Sequence, residues 1–67
     1  MDKKLEHLIE QRDAAQRFVA SYEIELGREV LASKPDESNI EYWFGKVKAM
    51  RTYLESIEEQ IRVHKYG

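Results

Sequence analysis

A chain of 67 residues has room for one small domain, and 36% charged residues with a single proline suit an all-helical one. The lack of cysteine removes disulfides, thiolate metal sites and thiol nucleophiles together, so stability has to come from packing. A formal net charge of −2, spread over both halves, describes neither a polycation nor an acidic tail.

The first helix is expected over about 2–32. Asp2 is a favourable N-cap, and Leu5, Leu8, Ile9, Ala15, Val19, Tyr22, Leu26 and Val30 share one broad face. Arg12 interrupts that face between Leu8 and Ala15, and Gly27 lowers local helix propensity by about 1 kcal/mol relative to alanine. Each is a candidate bend or exposed stretch. Asp13 and Arg17 stand four apart, the spacing of an ordinary surface ion pair.

Turn formers cluster once, in Ser33-Lys34-Pro35-Asp36-Glu37-Ser38-Asn39, and Pro35 disfavours helical geometry at Lys34 before it. A loop is expected over about 33–38. Ser38 followed by Glu41 has the form of a capping box, which starts a second helix near Asn39 and lets it fray near Lys65. Asp36 is a rival cap that begins the helix one turn earlier.

The second helix carries the clearest pattern in the chain. Ile40, Trp43, Val47, Met50, Leu54, Ile57, Ile61 and His64 recur at spacings of three and four. A 3.5-residue period held over more than three heptads marks a helix that buries one stripe against another helix. Helices of about 30 and 27 residues measure about 45 and 40 Å at 1.5 Å per residue, and a short loop makes them antiparallel neighbours. The expected fold is therefore all-α, a single-domain antiparallel helical hairpin over residues 1–67 with coiled-coil-like packing.

One seam is a small core for a chain of this length. Phe18, Ile24, Leu31, Phe44 and Tyr53 lie off it and would meet water in a lone hairpin. Completion into a four-helix bundle, by homodimerisation or by a protein partner, is the expectation. The run Glu41-Tyr42-Trp43-Phe44-Gly45 points in the same direction, because three consecutive aromatics diverge by about 100° each and cannot all enter one seam. The expected protein interface is the seam from Ile40 through Trp43, Val47, Met50, Leu54 and Ile57 to Ile61, with Tyr42, Phe44, Phe18 and Ile24 as outer contacts.

Other chemistries have weaker support. Lys46, Lys48 and Arg51 form a basic run near aromatics, as in some nucleic-acid binders, but the helical wheel puts Lys46 on Tyr42's side and the other two on Phe44's side. Arg51 with Glu55 and Glu58 with Arg62 are spaced as a solvated ion-pair ladder. Folding the hairpin brings Glu6, His7 and Glu10 near His64, yet Glu6 and His7 diverge around the helix, so no metal site is expected. Ser21, Ser33, Ser38, Ser56 and Thr52 lack a histidine and an acid to activate them, and there is no glycine-rich phosphate loop. No catalysis, cofactor or small-molecule substrate is expected. No apolar run approaches the roughly 18 residues of a membrane span and the charged start lacks a signal peptide's apolar block, so a cytoplasmic location is expected.

In length and layout the chain resembles two groups of small hairpin proteins. One is the Rop family of dimeric RNA binders that act in plasmid copy-number control. The other comprises the co-chaperones of type III secretion needle subunits. The first resemblance implies a dimer that binds RNA or DNA, for which this chain's own basic candidates are Lys46, Lys48 and Arg51. The second implies a co-chaperone or assembly factor. The apolar residues in excess of one seam lead to the expectation of a non-enzymatic adaptor, assembly factor, co-chaperone or inhibitor that docks a hydrophobic helical face on a protein.

Overall fold

The computed structural model describes residues 2–66, which form two helices, α1 (Lys3–Leu31) and α2 (Glu37–Tyr66). They pack against each other along their length as a hairpin. Asp2 meets His64 at one end, and Tyr22 meets Trp43 towards the other, so the helices run antiparallel. The result is a rod of 51 × 16 × 12 Å. Its radius of gyration is 15.3 Å, against about 11 Å for a compact domain of equal length.

The heptad pattern decides which side of each helix is covered. In α2 the residues withdrawn from solvent are Ile40, Trp43, Val47, Met50, Leu54, Ile57, Ile61 and His64, and every other described residue of that helix is exposed. The fully buried core is Leu8 and Ala15 from α1 with Val47 and Ile57 from α2. On α1 the 3.5-residue step runs through Leu5, Leu8, Arg12, Ala15, Val19, Tyr22, Leu26 and Glu29, none of them exposed. Val30, expected on this face, is exposed instead, because the step of three from Leu26 lands on Glu29.

Neither suspected break interrupts α1. The helix continues through Gly27. Arg12 is half-buried at its seam position, and its guanidinium donates to Asp13 Oδ1 at 3.3 Å, as suits a long side chain with an apolar stem and a charged tip. Asp13 thus pairs with its neighbour Arg12 and not with Arg17.

Capping chemistry fixes the helix ends. Asp2 Oδ1 accepts from the backbone N–H groups of Lys4 (3.0 Å) and Leu5 (3.2 Å), which satisfies two of the donors that open α1. The chain leaves helical geometry at Ala32, which is extended and donates its N–H to the Glu29 carbonyl at 3.3 Å. The start of α2 differs from the expected capping box. Asp36 is the cap, and its Oδ1 accepts from Ser38 N (2.9 Å) and Asn39 N (3.4 Å), so the helix begins at Glu37 and not at Asn39. Ser38 then lies inside the first turn, where its side chain is too late in the chain to cap. Glu37 is well placed there, since the positive end of the helix dipole favours a carboxylate.

The open end of the hairpin is tied by His64 Nε2 on Asp2 Oδ2. This hydrogen bond, and after it the Leu5 amide, holds the Asp2 carboxyl below its ordinary value of 3.8. A carboxylate with a depressed pKa stabilises the fold above its unfolded value and loses that contribution as pH falls through the folded one. The wild type should therefore be more stable than Asp2→Ala at neutral pH, with the gap closing below pH 3.8 in thermal melts followed by circular dichroism. At the other end, Asp36→Ala should lower stability by about 1 kcal/mol in urea titrations, whereas Ser38→Ala should change it by less than about 0.5 kcal/mol.

Candidate functional site

Because the seam of α2 lies against α1, the side chains left for other molecules are those on the flanks. Phe18, Ile24, Leu31, Phe44 and Tyr53 are all exposed, as are Val30, Tyr42, Val63 and Tyr66. Ile40, Trp43, Met50, Leu54 and Ile61 are half-buried, and Val47 and Ile57 are buried.

Four rings join the two helices near the loop end. Tyr22 stacks on Phe18 with centroids 6.1 Å apart and a 25° interplanar angle, one helical turn along α1. Across the seam Tyr22 meets Trp43 at 5.8 Å and 38°. Trp43 in turn meets Tyr42 in a T-shaped arrangement at 5.1 Å and 81°, which suits the ring quadrupoles. Lys46 Nζ sits 5.4 Å from the Tyr42 centroid, at cation–π distance. The band starts and ends on one flank, because Phe18 and Tyr42 both project from the same side of the hairpin. Tyr53 is on that flank as well. It lines a shallow depression with Tyr22, Lys46, Ala49 and Met50.

The opposite flank is charged. Arg51 reaches across the interface to Glu23 of α1 instead of along its own helix to Glu55. Arg62 bonds Glu59 through Nε at 3.1 Å and through a terminal nitrogen at 2.6 Å, not Glu58, and that carboxylate raises the guanidinium's pKa above its ordinary value. The expected ladder along α2 is thus replaced by one inter-helix pair and one pair at a spacing of three. A residue flanking the seam is as close to the partner helix as to its own next turn, which is why Arg51 can cross. Pairs this exposed contribute at most about 1 kcal/mol each. Lys46, Lys48 and Arg51 do not converge, since the first stands over Tyr42 and the others line a depression beside Phe44, Val47 and Glu55.

Thr52 Oγ1 donates to the Lys48 carbonyl at 3.1 Å, a bond within the helix. His7 is exposed, and His64 faces Asp2 and not Glu6 or Glu10. Among the described residues no three His, Cys, Asp or Glu side chains are grouped to hold a metal ion, and no helix is long and apolar enough to cross a membrane.

The signals that sequence reasoning passed over were local spacings. Phe18 with Tyr22 and Tyr42 with Lys46 are each four apart, the distance at which helical side chains meet. The contacts of Tyr22 with Trp43 and of Glu23 with Arg51 depend on the register between helices and had no such signal. No protein-family model matches the chain, and neither a curated protein nor a solved structure is detectably similar to it.

Proposed function

We propose that this chain is a non-enzymatic protein-interaction module, a small cytoplasmic adaptor, assembly factor or inhibitor that docks the apolar side chains of its hairpin flanks on a protein. The carrying observation is the imbalance of its apolar surface. Among the described residues only Leu8, Ala15, Val47 and Ile57 are fully buried, while nine large apolar or aromatic side chains stand in solvent. Exposed aromatics and aliphatics in that density are the usual material of an interface core. The area agrees. The chain exposes 5380 Å², where a compact monomer of its 8.0 kDa exposes about 4,450 Å². The excess is roughly the 800 Å² that each partner contributes to a standard interface.

A grip on RNA or DNA requires cations that converge on a phosphate backbone. Lys46 stands on the flank opposite Lys48 and Arg51, and Arg51 is engaged by Glu23, so protein is the favoured class of partner.

Sedimentation equilibrium of the full-length chain at low and high salt, read at protein and nucleic-acid wavelengths, tests this reading. The expected species is free of nucleic acid and keeps its mass as salt is raised. A boundary that carries nucleic acid, and loses it with salt or on neutralising Lys46, Lys48 and Arg51, would overturn the proposal. The seam that presents both flanks should be sensitive in parallel. Leu54→Asp puts an unpaired charge between the helices and should cost roughly 3 kcal/mol, seen as loss of helical circular dichroism and of any assembly together.

A further inference from the structure

The two flanks differ in a way that selects one of them and names its occupant. Positions three or four residues apart share a helix face, so the flank carrying Phe18 and Tyr53 also carries Gln11, Ala14 and Ser21 of α1 and Ala49, Ser56 and Gln60 of α2. Along that stretch there is no Asp, Glu, Lys or Arg. Charges appear only at its margins, as Lys4 near the termini, Glu25 with its ion-pair partner Arg28 and Lys46 near the loop, and Arg17 along the outer edge of α1. The other flank holds Glu23, Arg51, Glu55, Glu58 and Arg62. Helix surfaces in water are normally charged, and this chain has charge to spare at 36% of its residues. A central stretch free of it, with half-exposed rings at Phe18 (50%) and Tyr53 (47%), is a face dressed for burial.

We infer that this flank pairs with the same flank of a second copy of the chain, closing a homodimeric four-helix bundle. The inference rests on the protein-interaction reading and specifies its partner. Three observations favour a second copy. A two-fold interface brings each patch against itself, so every like charge near the axis is repelled by its twin, and an uncharged patch escapes that cost. The face also carries both halves of a fit, with Phe18 and Tyr53 projecting beside depressions lined by Ala14, Arg17 and Ser21 on α1 and by Lys46, Ala49 and Met50 on α2. Its extent suffices. Counted with its charged ends as a rim around the neutral centre, a face as long and broad as the hairpin, 51 × 16 Å, offers on the order of 800 Å², the share each partner gives to a stable interface. Pairing through the opposite flank would instead desolvate the Glu23–Arg51 pair and leave Glu55 and Glu58 to be satisfied.

Sedimentation equilibrium of the wild type and three single variants decides the matter, with circular dichroism of each sample confirming the helical fold. Phe18→Glu and Tyr53→Glu set a charge on the uncharged flank without entering the seam, and Ala20→Glu adds the same charge beside Glu23 on the other. The wild type should sediment at twice the 8.0 kDa chain mass. Each of the first two variants should remain helical and dissociate at least about a hundredfold more readily, while Ala20→Glu should associate as the wild type does. A helical wild-type monomer at all concentrations would overturn self-pairing. So would a dimer that tolerates Phe18→Glu and Tyr53→Glu but falls apart with Ala20→Glu, or growth of mass without limit. None of these outcomes involves nucleic acid in the boundary, so failure of self-pairing is distinct from failure of the protein-interaction reading.

Discussion

Two helices that meet along a single stripe can bury only what lies on that stripe, and this limit governs the whole molecule. The 3.5-residue repeat selects eight positions on each helix, and in α2 those eight are the only described residues withdrawn from water. Off the repeat, the large apolar side chains other than Ile9 are left outside. A globular arrangement of the same residues would fold a third element over Phe18, Phe44 or Tyr53, but the chain spends its length on two long helices and has none to spare. Exposed apolar surface is therefore a consequence of architecture and not an accident of individual side chains.

The ends of the helices show local chemistry working inside that limit. Asp2 and Asp36 perform the same task at the two N-termini, each accepting from two backbone amides of the first turn. Asp2 has a second function that Asp36 lacks. It receives His64 from the far end of α2, so the start of one helix and the last turn of the other are joined through one carboxylate. At the loop end the joining is apolar, through Phe18, Tyr22, Trp43 and Tyr42, with Lys46 over the outermost ring. The rod is thus fastened by a polar contact at one end and an aromatic one towards the other, with Ile57 and its neighbours between.

The flanks add a second layer of organisation. The inter-helix ion pair lies on one side, where Arg51 crosses to Glu23, and Phe18, Tyr42, Tyr53 and the small residues lie on the other, whose own pair, Arg28 with Glu25, stands near the loop. Weak surface pairs of this kind contribute little to stability. Their value lies in discrimination, because a face covered in fixed charge is costly to bury and a neutral face beside it is not. A hairpin with two unlike sides has an orientation with respect to any partner, which suits the interaction module proposed above.

The amino-acid sequence by itself determined the two helices, their antiparallel pairing and the identity of the seam in α2, because periodicity is a property of spacing along one chain. It also named the apolar residues that remain outside, from Phe18 to Tyr53. At the second N-cap two local solutions competed. Ser38 with Glu41 and Asp36 alone both obey capping rules, and Pro35, directly before Asp36 and lacking an N–H to donate, goes with the earlier start. Partner choice among charged residues was not legible. Arg51 has Glu55 four residues on, and only the lateral register of α1 against α2 brings Glu23 closer; the same register sets Tyr22 against Trp43 and His64 against Asp2. Spacing within one helix decides what faces the partner. Which side chains then touch is decided by the relative position of two rigid rods, a quantity that only the tertiary packing of the seam supplies.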